Sequence, residues 1–326
     1  MSAAELTHDA TTHAVLTVLG GTPLAHAAAT AGMSSAELAE AVETYHQAGQ
    51  AALATRIDSD WYQLALELPP DHLEETLTSS LAPQLRQLTT TGAITGWWFL
   101  RKTPGLRLRI TPADSASTID PLLNELRTTG ALTTWRRGLY EPEQAAFGGP
   151  TAMSLAHELF AADSHHLTTY LHDPHPSLGR RELSLLLCSS LFRAAGQEWF
   201  ECGDIWHRVS RTRPAPPPLT HPEQLTHQLH TLLTHDPHPT GPLFGPDGPL
   251  HTYAPWAHAF AHTGHALAHT HPLQRGLRDI LAHHVLFHWN RLGLNTTTQS
   301  ILAHTATTAI LDTEQSPPPT LRNNTE

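Results

Sequence analysis

Arg107 and Arg109 carry the clearest chemical potential in this chain. They sit in Leu106-Arg107-Leu108-Arg109-Ile110, where alternation puts three apolar side chains on one face of a strand and two guanidinium groups on the other. Neighbouring guanidiniums repel each other unless an anion lies between them, and their planar forks match carboxylate or phosphate. A carboxylate-bearing ligand is the natural occupant. A solvated face with two salt bridges is the simpler alternative. Trp97-Trp98-Phe99-Leu100-Arg101 reads as the preceding strand, separated from the first by Pro104-Gly105.

Three further groupings could join that chemistry. Tyr140-Glu141-Pro142-Glu143 leads into Phe147-Gly148-Gly149-Pro150, a turn that opens a helix and offers unpaired N–H groups. The following helix carries His157 and then Asp163-Ser164, which could orient a neighbouring arginine. Further on, His284, His288 and Arg291 repeat at i, i+4 and i+7, on one helical face, with Asn290 beside them. No Asp or Glu completes a metal set there, so a general acid or base next to an anion site is the better reading. His258, His262, His265 and His269 repeat at helical spacing in a region rich in histidine, and compositional drift explains them best.

The elements that must position these groups follow from periodicity. Residues 1–55 read as a small helical unit: an apolar helix to Leu19, a break at Gly20-Gly21-Thr22-Pro23, a helix from Leu24 to Ala31, and a third opened by Ser34-Ser35-Ala36-Glu37. The order resembles a helix-turn-helix, but a DNA reader needs the Arg and Lys that are nearly absent here, so a docking appendage is expected. Trp61–Leu68 is a strand, and Asp71 caps a helix to about Thr89 with Leu73, Leu77, Leu81 and Leu85 on one side. Strands near 97–110, a helix near 118–128 and a strand near 133–140 complete an α+β half built on a small, mainly antiparallel sheet. The second half is helix-rich: 151–172, one or two helices over 180–208, then 222–234, 254–269, 273–291 and 296–311. The loop 236–250 reads as a lid or plain surface. The expected domains are thus 1–55, 56–312 and a disordered tail, 313–326.

Composition bounds the function. Charged residues are 15% of the 326, and the net charge is −11 with the 26 histidines neutral. So acidic a chain is a poor holder of nucleic acid. The two cysteines, Cys188 and Cys202, lack metal-site spacing; with no signal peptide in front, a reducing cytoplasm is expected. No apolar run has the length of a membrane span.

Taken in order, the blocks Trp97–Arg101 with Pro104–Ile110, Tyr140–Glu143 with Phe147-Gly148-Gly149, His157-Glu158-Leu159-Phe160 with Asp163-Ser164, and His288-Trp289-Asn290-Arg291-Leu292-Gly293 resemble the C-terminal elimination domain of class I lantibiotic dehydratases. The same domain stands alone in thiopeptide-type bacteriocin biosynthesis proteins. The likeness covers about 58–311. It implies maturation of a ribosomally made precursor peptide by one of two activities. In the first, a partner protein esterifies Ser or Thr with glutamate from glutamyl-tRNA, and the domain eliminates glutamate to leave dehydroalanine or dehydrobutyrine. In the second, a pyridine synthase joins two dehydroalanines in a formal [4+2] cycloaddition and releases the leader peptide. A non-catalytic scaffold that holds the leader peptide is a third reading.

The resemblance implies no metal or organic cofactor and no direct nucleic-acid contact. It makes Arg107, Arg109 and His288 the catalytic candidates. Arg101, Tyr140, Glu141, Gly148, Gly149, Asp163, Ser164, His284, Asn290 and Arg291 are the substrate-binding candidates. Assembly as a homodimer is left open. The chain departs from the family twice. Members often carry the histidine two positions earlier, where Leu286 stands, and many have an arginine before the aromatic-Gly-Gly turn, where Ala146 stands.

Overall fold

The computed structural model describes residues 3–57, 61–112 and 114–312; the expected tail, 313–326, lies outside them. By contacts the chain divides into two units, residues 1–60 with 139–141, and residues 61–138 with 142–326.

The first unit is three helices, α1 (Ala3–Leu19), α2 (Leu24–Ala31) and α3 (Ser35–Ile57). Ser34 and Glu37 form the reciprocal cap expected of them: Glu37 N–H donates to Ser34 Oγ (3.2 Å), and Ser34 N–H to Glu37 Oε2 (2.9 Å). The core of this unit is small, made of Ala14, Val15, Ala27, Ala28 and Leu38. Tyr140 and Glu141 group with this unit.

The second unit is α+β. Strands β1 (Tyr62–Glu67), β2 (Gly96–Lys102), β3 (Gly105–Thr111) and β4 (Thr134–Gly138) form one antiparallel sheet in the order β2-β3-β1-β4. Between β1 and β2 the single helix expected over 71–89 is interrupted. A short α4 (Leu73–Glu75) passes through a π-helical turn, Thr76–Leu81, into α5 (Ala82–Thr90). Pro83 has no N–H to continue the ladder, and Thr78 Oγ1 donates to the Glu74 carbonyl (2.8 Å). The widened turn has a use. Leucines four apart drift by about 40° per step on a 3.6-residue helix, yet Leu77, Leu81 and Leu85 are all fully buried.

Helix α6 (Ala116–Thr128) is pinned to the sheet by Asp120, which accepts from the Tyr62 hydroxyl (2.6 Å) and pairs with Arg137. One sheet face, with Leu64, Leu66, Trp97, Phe99, Leu106, Leu108 and Ile110, enters the main core. The helical half follows: α7 (Pro150–His172), α8 (Arg180–Ala194), α9 (Trp199–Ser210), α10 (Pro222–Thr234), α11 (Ala254–Ala268), α12 (Leu277–Leu292) and α13 (Thr296–Leu311). Residues 180–208 are thus two helices, the second opened by a Glu198–Glu201 capping box. The loop 236–250 is not bare surface. Its Phe244 and Leu250 are buried, and Ser190 Oγ donates to the Pro237 carbonyl (2.6 Å). Among the described residues no helix is long and apolar enough to cross a membrane.

Candidate active site

Strand register decides which candidates meet. Arg107 and Arg109 share the sheet face that turns away from the core; Arg109 lies opposite Trp98 on β2 and Gln63 on β1. The Arg109 guanidinium sits 4.2 Å from the centre of the Trp98 ring, a cation–π contact on a buried indole. Trp98 in turn lies against Phe160 of α7 (4.9 Å between ring centres) and His157 (6.0 Å), and Trp61 closes on His157 at 5.0 Å. Arg101 belongs to the other face, since β2 alternates like β3. Its Nε donates to the Arg291 carbonyl (2.9 Å), and Nη2 pairs with Glu74 (2.7 Å), which Arg180 also holds (3.0 Å). Asn290 accepts from Gln299 Nε2 (3.0 Å). It lines, with Arg101 and Lys102, a groove of about 430 Å³.

His157 was not singled out for a role by sequence reasoning. Burial pushes its pKa down to about 4, with help from the Arg109 charge, so its ring is neutral at ordinary pH. Glu143 and His283 were missed as well. Glu143 Oε2 lies 3.0 Å from His283 Nε2. The hydrogen bond from His283 holds the Glu143 carboxyl below its usual range against partial burial, and the His283 and Arg109 charges add to the effect. The signals that could have found these residues are their positions: Glu143 and His157 stand inside the family blocks, and His283 precedes a candidate.

The turn that carries Glu143 needs both of its glycines. Gly148 has φ +92°, and a Cβ there would meet Ile280 Cδ1 at 2.4 Å; Gly149 has φ +109°, with Gln274 Cδ at 2.9 Å. Phe147 is fully buried against His283 (4.8 Å) and His284 (4.9 Å). Residue 146 is alanine, but a guanidinium still stands at the turn, because Arg275 Nη1 donates to the Ala146 carbonyl (3.3 Å).

The remaining candidates form a buried polar network. Asp163 is wholly enclosed and accepts from Trp256 Nε1 (2.9 Å), His288 Nδ1 (3.0 Å) and Arg291 Nη1. Burial opposes the Asp163 charge, but His288 and Arg291 outweigh it and bring the carboxyl below its usual range. Arg291 Nε donates to the Phe99 carbonyl (2.9 Å), and the Phe99 N–H donates to Ser164 Oγ (3.2 Å). β2 is an edge strand, so Ser164 and Arg291 satisfy the outward backbone groups of Phe99. His284 shares this face of α12, as its spacing predicts. Burial pushes its pKa down to about 3, and neither ring nitrogen has a hydrogen-bond partner. His288 Nε2 and Arg291 Nη2 are also buried without partners.

Both cysteines are free and buried, and burial raises the Cys202 thiol to about 11. Among the described residues no group of three or more His, Cys, Asp or Glu could hold a metal ion.

The family described as lantibiotic biosynthesis dehydratase C-term matches residues 61–310, and the chain belongs to it. Among solved structures it is similar to the tRNA dependent lantibiotic dehydratase MibB from Microbispora sp. 107891. The TM-score is 0.60 at 20% identity over 78% of this chain, which spans 28% of MibB's length. The chain also aligns with TsrL, at a TM-score of 0.48 and 16% identity over 76% of this chain and 93% of that one. No curated protein sequence matches.

Proposed function

We propose that this chain eliminates glutamate from glutamylated Ser or Thr of a precursor peptide, leaving dehydroalanine or dehydrobutyrine. The observation that carries the reading is the Arg109 guanidinium on Trp98 beside a neutral His157, in a chain of this family. His157 takes the α-proton of the esterified residue. The C–H electron pair becomes the Cα–Cβ double bond, the Cβ–O bond breaks, and glutamate departs with its new carboxylate received by Arg109, next to Arg107 on the same strand face. His288 is enclosed, with its Nδ1 held by Asp163. Its part is to position Asp163 and Arg291 beneath the site. The helical unit at residues 1–55 docks the precursor or the glutamylating partner protein.

The test is mass spectrometry of a synthetic peptide bearing a glutamyl-Ser ester. The protein is expected to convert it to dehydroalanine plus free glutamate, and Arg109→Ala to leave the ester intact. Peptide binding without turnover would favour the scaffold reading. Pyridine formation is favoured by one observation, the alanine at 146 where many eliminating relatives have arginine. A peptide with two dehydroalanines that is cyclised, while the glutamyl ester is untouched, would establish it.

A further inference from the structure

The sheet face of Arg107 and Arg109 carries a third arginine. Ala65 of β1 lies opposite Arg107 on one side and Arg136 of β4 on the other. The neighbours of Arg136 fix its direction: Trp135 packs on the core and Arg137 pairs with Asp120, so Arg136 projects with Arg107 and Arg109. Their Cα atoms are two strand spacings apart, roughly 10 Å. In the sheet register Ala65 is the residue between them, and its side chain is a single methyl group, short enough for two long cations to converge over it. Arg107 is half-buried and Arg136 exposed, and neither side chain forms a hydrogen bond or ion pair among the described residues. Glu67, on the same face one pair further along, pairs with neither.

We infer that Arg107 and Arg136 form a second carboxylate subsite, which takes the side-chain carboxylate of the glutamyl group while Arg109 receives the ester carboxyl that leaves. The inference rests on the elimination reading above. Three carbons separate the two carboxyl carbons of glutamate, and the Arg109 and Arg107 positions lie two residues apart along one strand with Ala65 beside them, so one glutamyl group can reach both subsites. Arg136 is then a specificity residue: it reads the acidic side chain and leaves the bond-breaking step alone.

The test compares two synthetic peptides, one with a glutamyl-Ser ester and one with a glutaminyl-Ser ester, on the full-length protein and on Arg136→Gln. The unaltered protein is expected to favour the glutamyl ester in kcat/KM by about 10- to 100-fold, the range of a charge-assisted contact. Arg136→Gln should lose most of that preference through a higher KM for the glutamyl ester, with the glutaminyl ester unaffected. If Arg136→Gln keeps the full preference while the protein eliminates normally, the subsite is wrong and the elimination reading stands. If the unaltered protein eliminates neither ester, both fall.

Discussion

The protonation state of His157 gives the most decisive prediction. A histidine with the usual pKa near 6.5 is about 9% neutral at pH 5.5. With its pKa held down to about 4, the His157 ring is about 97% neutral at that pH. If this ring takes the α-proton, kcat/KM on a glutamyl-Ser peptide should be almost flat from pH 7.5 to 5.5. An ordinary histidine base would lose about tenfold over the same interval. Folding is checked at each pH by circular dichroism, because the same shift weakens the fold in acid. His157→Ala should cost about 100- to 10,000-fold in kcat while the protein stays folded. A tenfold fall between pH 7.5 and 5.5 in folded protein would refute the reasoning, as would a His157→Ala protein of normal activity with a His288→Ala protein that is folded and inactive.

Other outcomes follow from the buried groups and the appendage. The His284 pKa is lowered to about 3, below its unfolded value, so its contribution to stability is intact above about pH 6.5 and is lost as pH falls. His284→Leu should therefore remove about 1.4 kcal/mol of the destabilisation seen between pH 7.5 and 5.5 in urea melts; an unchanged pH dependence would contradict the burial argument. Asp163→Asn leaves Arg291 enclosed without its carboxylate and should cost about 3–5 kcal/mol in the same assay at pH 7.5. Removing residues 1–55 should weaken binding of the precursor peptide, measured by fluorescence anisotropy, and leave kcat at saturating peptide unchanged; lost turnover with normal binding would place that unit in the active site.

Much of this architecture is legible in the sequence because the patterns are local. Alternation through Leu106–Ile110 fixes β3 and the arginine face, and Ser34 with Glu37 fixes the start of α3. Strand order is not legible, because the register that puts Ala65 between Arg107 and Arg136 depends on pairings distant in the chain. The π turn before α5 was hidden for a different reason: leucines four apart fit a helical stripe whether or not the helix widens. For the site, spacing brought His284, His288 and Arg291 to one face correctly, but it cannot say that the face is enclosed. His157 was one histidine among 26 until burial and the nearby arginine distinguished it. The resemblance makes Arg101 a substrate-binding candidate beside Arg107 and Arg109, yet strand parity sends it to the opposite face of the sheet.

The anchoring of Phe99 bears on how this protein behaves in concentrated solution. A sheet margin with open N–H and C=O groups invites a strand from another molecule. At β2 that invitation is withdrawn at Phe99, where Ser164 and Arg291 occupy both backbone groups from within the same chain. The opposite margin, β4, is only five residues long and carries the exposed cation Arg136, whose repulsion for its own copies discourages stacking. For the peptide elimination proposed above, such margins steer an extended chain toward side chains on the sheet face rather than capturing it as an extra strand.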